Sequence, residues 1–259
     1  MSTPEPRQSA LSKAADVASI TSAVILVVVM VVMLTAIHAR ISGRTSAAAG
    51  VRPQAAGRAP TPPRGQPVSV VSGLDTSLKA HETTDGAQVV VIEYTDYECP
   101  FCGRYAREVY PRLRSEFFEA KTVAHFVRSF PLEAIHADAF RASMAAECAR
   151  EQRRFWDMYD RLFLNQAELA AERLPEHAAA LNLDRAAFER CLAGDSGEAV
   201  RSDMDEGRRL GVRSTPTFFI GVAGPDGKVN IARRVVGAHT YETFKTVINE
   251  VRTAGRSGN

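Results

Sequence analysis

The hydrophobic pattern begins with an uninterrupted apolar stretch. Residues 17–37 contain no charged side chain, and at a helical rise of about 1.5 Å per residue they can cross the hydrocarbon core of a bilayer. A buried core helix fits less well, because the stretch is apolar on every face. A cleaved signal peptide is the stronger alternative, since the small residues 46–49 offer a cleavage pattern, but the stretch is longer than a signal peptide requires. We therefore predict a cytoplasmic N-terminal tail at residues 1–16 and a retained transmembrane anchor at residues 17–37.

The segment after the anchor is polar and rich in proline. Residues 38–67 contain five prolines, five arginines and no acidic residue. Proline stiffens such a segment and like charges extend it, so we expect a linker rather than a folded unit. The Lys and Arg residues around the anchor slightly favour a cytoplasmic C-terminal domain, but long domains cross the membrane largely regardless of these charges. The cysteine chemistry described below favours a domain outside the cytosol.

Short apolar runs in the rest of the chain predict a sheet. Residues 87–95 form an almost continuous β-branched and aromatic run, which is typical of a central strand buried on both faces. Further strands are predicted at residues 68–71, 122–130, 217–222 and 228–236. The turn residues 223–227 predict that the last two strands form a hairpin. A closing helix is predicted over residues 241–252, where four apolar side chains share one face.

A long helical stretch separates the third and fourth of these strands. Apolar side chains recur at helical spacing between residues 140 and 163, which predicts core-facing helices rather than a cofactor or peptide groove. The elements together predict one α/β domain over residues 68–253. Its helical insertion spans about residues 134–210, and residues 254–259 form a C-terminal tail.

Composition and charge narrow the class of protein. Apolar residues make up 45% of the chain and charged residues 24%, which excludes collagen-like and disordered proteins. Residues 1–67 carry a net charge of +5 and the remainder −3, so the folded domain does not resemble a nucleic-acid-binding protein. Four cysteines are too few for a disulfide-rich scaffold but enough for one reactive pair and one structural pair.

Two of the cysteines, Cys99 and Cys102, follow the predicted central strand and begin a helix predicted over residues 100–118. Unpaired N–H groups and the positive end of the helix dipole favour a thiolate there. Pro100 suits the first helical turn, because its missing N–H would have no partner. An exposed cysteine and an inner one at this spacing can attack a disulfide and then resolve the mixed intermediate. The arrangement predicts thiol–disulfide exchange, with the cysteines as the redox centre and no cofactor.

Other uses of this cysteine pair fit the sequence less well. A zinc ribbon needs a second C-x-x-C motif, whereas Cys148 and Cys191 are isolated. A c-type haem site needs a histidine where Gly103 stands. A purely structural bridge across so short a loop would constrain the unfolded chain little. We therefore predict no metal site.

The order of these motifs resembles the DsbA-like branch of the thioredoxin superfamily, particularly its membrane-tethered bacterial members similar to BdbD. The resemblance covers about residues 68–253 and rests on the C-x-x-C helix, the helical insertion and Thr215-Pro216 before a hairpin. It implies a thioredoxin-like fold with an inserted helical domain, a cis peptide at Pro216 facing the active cysteines, and backbone groups of Thr215 that bind an extended substrate peptide. The residues alone indicate only that Pro216 begins a strand, which sheet geometry tolerates.

The resemblance also implies a role for Glu93. This residue lies six positions before Cys99, in an apolar run that would bury its carboxyl group. The resemblance implies that Glu93 accepts the proton of Cys102 when Cys102 resolves the intermediate. The alternative is a glutamate that points outward at a strand edge. Phe101 stands where this family often has a histidine, which removes one source of positive charge near the thiolate.

Cys148 and Cys191 both lie in the helical insertion, on otherwise apolar faces. Related proteins include members with a non-catalytic disulfide there, so the resemblance favours a structural bridge. Two free buried thiols are the alternative, because cysteine packs well as a small apolar residue. A bridge closing a loop of this length would stabilise the domain by about 4 kcal/mol and would require an oxidising compartment.

These expectations combine into a membrane-anchored thiol–disulfide oxidoreductase with an extracytoplasmic catalytic domain. It would oxidise reduced, unfolded exported proteins, and the resemblance implies that a quinone-coupled membrane thiol oxidase restores the disulfide. A reductase or isomerase of extracytoplasmic disulfides is the enzymatic alternative. A non-catalytic thioredoxin-like docking module is the alternative of another class. No nucleic-acid partner is predicted.

Overall fold

The structure is a computed structural model that describes Met30, Met33, residues 66–194 and residues 196–257. Most of the predicted N-terminal tail, anchor and linker, residues 1–67, lies outside the described residues. No helix in the described parts of the chain has the length and apolar character needed to span a bilayer. The tail, the transmembrane anchor and the linker therefore stay predictions.

A sheet of six strands organises the described chain from residue 66 onwards. Its strand order is β1 (Gln66–Val70), β6 (Lys228–Val236), β5 (Thr217–Ala223), β3 (Val89–Thr95) and β4 (Val123–Ser129), and the short β2 (Asp75–Ser77) pairs with β6. β3 runs parallel to β4 and antiparallel to β5. All seven residues of β3 are buried, which confirms the prediction of a central strand covered on both faces.

The predicted hairpin is also present. β5 and β6 pair antiparallel, and the chain turns between them through Gly227, whose φ of 74° favours glycine. A register shift between Ile220 and Gly221 bends this pair. The sequence did not predict β2, because three residues with one buried side chain carry no periodic pattern.

The helix predicted over residues 100–118 is divided. α1 (Pro100–Glu108) and α2 (Tyr110–Leu113) are followed by a π-helical turn (Arg114–Phe118). Pro111 has no N–H and cannot donate to the carbonyl of Arg107, so regular α-helical bonding cannot continue through this point. The prediction of one continuous helix is wrong, although its two outer limits are confirmed.

Five helices form the described insertion between β4 and β5. They are α3 (Ala139–Glu151), α4 (Phe155–Leu164), α5 (Leu174–Ala180), α6 (Arg185–Ala193) and α7 (Ser196–Arg209). The carboxylate of Asp184 accepts a hydrogen bond from the N–H of Ala187 (2.8 Å) and caps α6. All five helices fall within the predicted insertion.

The core lies on both faces of the sheet. On one face, apolar side chains of α1, α4 and the final helix α8 (Tyr241–Ser257) pack on alternate residues of β3, including Val91. On the other face, side chains of α7 pack on the intervening residues, including Ile92. The aromatic side chains Phe155, Tyr159 and Phe163 are buried in the first of these layers, so their stripe belongs to the core.

The final helix is longer than predicted. It runs to Ser257, through most of the segment expected to be a tail. Val251 is buried, and a Cβ on Gly255 would lie 3.3 Å from Val222 of β5. Glycine therefore allows the last turn to continue close to the sheet, and the predicted end of the helix at Arg252 is too early.

A buried cluster of charges joins α7 to the sheet. Arg128 on β4 is 1% exposed and pairs with Glu82 and with Glu206 (Nε to Oε2, 3.1 Å). Asp203 of α7 pairs with Lys79. Burial raises the pKa of Asp203, against the opposing charges of Lys79 and Arg128. The cluster is stable only while each buried charge keeps its partner.

Candidate active site

Cys99 and Cys102 lie where the central strand passes into α1. Cys99 is the last residue before the helix, Pro100 takes the first helical position, and Cys102 follows in the first turn. The N–H of Gly103 donates to the carbonyl of Cys99 (3.0 Å), which closes that turn. Both cysteines are free thiols; Cys99 is 4% exposed and Cys102 is fully buried. Cys99 is therefore the more accessible sulfur, but the prediction that it is exposed is wrong, because it is buried in this structure.

The Thr215–Pro216 peptide lies against Cys99. The peptide bond is cis and directly precedes β5. The Cys99 thiol donates a hydrogen bond to the Thr215 carbonyl, with 3.5 Å between sulfur and oxygen. The sheet brings the Cys99 turn and the Thr215–Pro216 peptide together, because Tyr94 near the end of β3 pairs with Thr217 at the start of β5. Two motifs that are distant in the sequence thus form one site.

The two thiols ionise very differently. The pKa of Cys99 is lowered to about 6, chiefly because the Cys102 thiol donates a hydrogen bond to its sulfur. Burial opposes this shift, while the N–H groups of Cys102 and Phe101 support it, as does the nearby Thr215 hydroxyl, which lacks the geometry of a full hydrogen bond. Burial raises the pKa of Cys102, and the adjacent Cys99 raises it further. The pair therefore combines a nucleophilic thiolate with a protonated inner thiol.

Glu93 is fully buried on β3. Its carboxylate lies 3.1 Å from Nε2 of His125 and accepts a hydrogen bond from the Tyr159 hydroxyl (3.2 Å). No hydrogen bond among the described residues joins Glu93 to Cys102. Thr95, two positions further along the same face of β3, has its hydroxyl beside the Cys102 sulfur, without the geometry of a full hydrogen bond. Glu93 thus lies two residues, about 7 Å along one face of β3, from Thr95, whose hydroxyl is beside the Cys102 sulfur.

His125 separates Glu93 from a cavity of about 300 Å³. The cavity is also lined by Phe118 and Trp156, whose rings stack on the imidazole at 4.5 and 5.2 Å between centroids. The second ring nitrogen, Nδ1, has no protein partner within the described chain. The sequence analysis did not identify His125. Only the pairing of the two strands could have pointed to His125, because Glu93 pairs with Val127, which lies two residues along β4 from His125.

The carboxylate of Asp96 organises the turn before α1. One oxygen accepts hydrogen bonds from the N–H groups of Glu98 (2.8 Å) and Cys99 (3.2 Å). The other oxygen accepts from the N–H of Leu132 (2.8 Å) and lies 2.7 Å from Nδ1 of His136. The sequence analysis missed Asp96 and His136. They follow the C-terminal ends of the parallel neighbours β3 and β4, which meet at one edge of a sheet where functional groups often gather.

Gln166 fixes the helical insertion to the cysteine turn. Its amide nitrogen donates to the carbonyls of Tyr97 (2.8 Å) and Cys99 (3.0 Å), and its oxygen accepts from Arg107 (3.1 Å). A Cβ on Gly103 would overlap the Gln166 oxygen, so this approach requires glycine. Gln166 follows the end of α4, outside any periodic pattern, so the sequence analysis did not identify it.

The remaining two cysteines lie away from this turn in sequence and on other elements. Cys148 and Cys191 form a disulfide between α3 and α6, with 5.6 Å between their Cα atoms. Within the described residues, no group of three or more histidine, cysteine, aspartate or glutamate side chains could hold a metal ion.

Comparison with known sequences gives one family and one group of relatives. Residues 84–250 match the model of a family described as thioredoxin. The Na⁺/H⁺ antiporter NhaA 3 of Salinispora tropica is 37% identical over 146 residues, which is 56% of this chain and 22% of the antiporter. An NhaA antiporter of Herminiimonas arsenicoxydans is 30% identical over 74% of this chain and 28% of its own length. The chain spans only about a quarter of the curated relatives it matches.

Solved structures give a second comparison. α-DsbA1 of Wolbachia pipientis is 20% identical, with a TM-score of 0.57 over 73% of this chain and 96% of its own. Oxidised BdbD of Bacillus subtilis is 19% identical, with a TM-score of 0.53 over 70% of this chain and 97% of its own. DsbA2 of Pseudomonas aeruginosa is 25% identical, with a TM-score of 0.51 over 63% of this chain and 88% of its own.

Proposed function

Since the chain belongs to the thioredoxin family and has the predicted thioredoxin-like fold, we propose that it is a thiol–disulfide oxidoreductase of DsbA type that introduces disulfides into exported proteins. The observation that carries this proposal is the setting of Cys99. Its sulfur begins a helix, has a pKa of about 6 and lies 3.5 Å from the Thr215 carbonyl. A thiol in this setting exchanges disulfides without a cofactor.

The proposed reaction starts from the oxidised Cys99–Cys102 pair. A client thiolate attacks the Cys99 sulfur, the Cys99–Cys102 bond breaks, and Cys102 leaves with the electron pair. Cys102 takes up a proton, because burial raises its pKa. A second client thiolate then attacks the client sulfur of the mixed disulfide, and Cys99 leaves as a thiolate. The client gains one disulfide, and the enzyme pair gains two electrons.

Thr215 would hold the client during these steps. Its carbonyl accepts a hydrogen bond from Cys99 only while that sulfur carries a proton. In the thiolate and disulfide states the carbonyl is available to an N–H group of an extended client peptide. This placement beside the reacting sulfur supports the role that the family resemblance implies for Thr215 and Pro216.

Glu93 would exchange protons with Cys102. When a partner reoxidises the pair, Cys102 must lose its proton in order to attack the mixed disulfide, and Glu93 would accept it. The burial of Glu93 and its position on the same face of β3 as Thr95 support this role. Since a step of about 7 Å separates Glu93 from Thr95, we expect the proton to pass through the Thr95 hydroxyl or a water. His125 and the cavity beside it would connect Glu93 to solvent.

The acidity of Cys99 supports oxidation as the direction of the reaction. At a pKa of about 6, roughly 90% of Cys99 is ionised at pH 7, against roughly 1% for a thiol with a pKa near 9. Stabilising the thiolate stabilises the reduced enzyme, so the oxidised pair becomes a stronger oxidant. A reductase needs the opposite balance, in which the disulfide form of the pair is stabilised relative to the reduced form.

We further propose that residues 17–37 anchor the chain in the cell membrane and that residues 38–67 tether an extracytoplasmic catalytic domain. The Cys148–Cys191 disulfide supports this location, because structural disulfides persist in oxidising compartments. Reduced, unfolded exported proteins would be the clients, and a quinone-coupled membrane thiol oxidase would reoxidise the pair. The similarity to antiporters covers too little of their length to propose ion transport for this chain.

Client oxidation by the full chain in detergent, with the Cys99–Cys102 pair oxidised beforehand, tests the proposal. The substrate is a reduced, unfolded peptide with two cysteines, and the readout is formation of its disulfide. Cys99→Ser should abolish the activity, while the Cys148→Ala/Cys191→Ala variant, which lacks the other two cysteines, should retain it at a temperature below its own lowered Tm. Unchanged oxidation by Cys99→Ser would refute the catalytic assignment.

Equilibration of the pair with glutathione tests the direction. We expect a reduction potential nearer the roughly −120 mV of DsbA than the roughly −270 mV of thioredoxin. A potential at the thioredoxin end would instead assign the chain to the reductases. A pair that does not equilibrate with glutathione would favour a docking module.

A further inference from the structure

Asp96 places a negative charge beside the reactive thiol. Its carboxylate is fully buried and accepts a hydrogen bond from the N–H of Cys99 (3.2 Å). Two negative charges repel each other, most strongly where water is excluded, so an uncompensated Asp96 would oppose ionisation of Cys99. A positive charge close to Asp96 would offset this repulsion and so favour the Cys99 thiolate.

His136 is placed to supply that charge. Its Nδ1 lies 2.7 Å from a carboxylate oxygen of Asp96, and its side chain is 15% exposed, so the ring can exchange protons with water. Burial disfavours the protonated ring, but the hydrogen bond and charge of Asp96, followed by the charges of Cys99 and Glu98, raise the pKa of His136 overall. These three groups, Asp96, Cys99 and Glu98, are all acidic, so each of them favours the protonated ring, the imidazolium.

The chain segment that carries His136 is fixed to the cysteine turn. The N–H of Leu132 donates to Asp96 (2.8 Å), and the N–H of Asp138 donates to the side chain of Glu98 (2.9 Å). Together with the contact of His136, this makes three attachments within seven residues of one segment. Residues 132–138 themselves include two acidic residues, Glu133 and Asp138, and no lysine or arginine.

We propose that His136 is a positioning residue whose imidazolium neutralises Asp96 and thereby holds Cys99 as a thiolate. The inference rests on the proposed function, since the thiolate is the species that exchanges disulfides. It adds a charge effect to the hydrogen bond from Cys102, at a site where Phe101, between the cysteines, carries no charge. The cation comes instead from the segment that follows β4, the parallel neighbour of the strand that leads to Cys99.

Linkage makes this interaction reciprocal. If the imidazolium favours the Cys99 thiolate, then the thiolate favours the imidazolium by the same factor. Oxidation of the pair removes the negative charge of Cys99. The pKa of His136 should therefore be higher in the reduced protein than in the oxidised protein.

Alkylation of Cys99 across a pH series tests the effect on the thiolate. The full chain in detergent is treated with iodoacetamide, and the Cys99 peptide is followed by mass spectrometry. His136→Gln should raise the pKa of Cys99 by about one unit and slow alkylation about tenfold near pH 5, because Asp96 becomes uncompensated. His81→Gln, a control at an exposed histidine on another segment, should leave the profile unchanged.

The double variant Asp96→Asn/His136→Gln separates charge from structure. Asparagine keeps an oxygen that can accept the N–H bonds of the turn but carries no charge, so the pKa of Cys99 should return close to the wild-type value. Two results would overturn the proposal. One is an unchanged Cys99 profile in His136→Gln, and the other is a shift in the double variant as large as in the single variant.

Nuclear magnetic resonance of the wild-type protein gives a test without substitution at the site. In protein with isotope-labelled histidine, the His136 resonance is titrated in the reduced and oxidised states. A lower pKa of His136 in the oxidised state supports the proposal, and equal values contradict it. Neither readout uses client turnover, so failure of this inference is distinguishable from failure of the proposed function, which the Cys99→Ser client assay detects.

Discussion

Removing the disulfide of the helical insertion is expected to destabilise the domain substantially. Cys148 and Cys191 are separated by 43 positions and join α3 to α6. Without the bridge, the unfolded chain recovers the conformational freedom of this loop, and the loop-closure entropy corresponds to about 4 kcal/mol at 25 °C. For a domain of this size, each 1 kcal/mol lowers Tm by about 2–4 °C, so the expected decrease is about 8–16 °C.

The perturbation is Cys148→Ala/Cys191→Ala, made in a Cys99→Ser/Cys102→Ser background so that the redox state of the active site does not contribute. Alanine is preferred to serine because Cys148 is fully buried, and a hydroxyl there would add its own penalty. Urea unfolding gives the free energy of unfolding and its dependence on urea, the m value. The m value should rise, because the unlinked unfolded chain exposes more surface.

Reduction of the bridge in the same background provides the matched control, because it opens the loop without removing either side chain. A loss below about 1 kcal/mol with an unchanged m value would refute the loop-closure reasoning. A loss in the alanine variant but not on reduction would assign the effect to the packing of Cys148 instead.

Three further substitutions test other parts of the account. Arg128→Leu should lower the free energy of unfolding by about 3–5 kcal/mol at pH 7, because it leaves buried carboxylates without a positively charged partner. It should further raise the folded-state pKa of Asp203, so stability should fall as pH rises above the unfolded value of about 4; equal deficits near pH 5 and pH 7 in urea unfolding would contradict this. Gly221→Ala places a Cβ against a carbonyl of β6 and should lower the free energy of unfolding by about 1–3 kcal/mol. Wild-type stability in this variant would contradict the prediction, because it would show that the backbone at the register shift moves to accept the Cβ. Glu93→Gln should slow attack by Cys102 on a mixed disulfide on the order of 10²-fold, and an unchanged stopped-flow rate would remove Glu93 from the mechanism.

Much of the fold follows from local patterns. The continuous apolar run of residues 87–95 identified the buried central strand, and the two apolar runs around residues 223–227 identified the hairpin. These signals depend only on neighbouring residues. The break before α2 also had a local cause, Pro111, which the helical periodicity obscured.

The contacts of the site depend on strand register and were harder to predict. Cys99 and Cys102 could be recognised from their spacing and their position after a strand. His136, 40 positions from Asp96, meets it only because β3 and β4 are parallel neighbours whose C-terminal ends coincide. The burial of Glu93 followed from its apolar neighbours, but its partner His125 did not, since periodicity within one strand cannot specify which residues face each other across two strands.

Titration of the Cys99 thiolate, by its ultraviolet absorbance in the reduced full chain with Cys99→Ser as the blank, tests the central claim most directly. The account predicts a single ionisation with a midpoint near pH 6, followed by ionisation of Cys102 only at much higher pH. A midpoint near 9, that of an unactivated thiol, would contradict it.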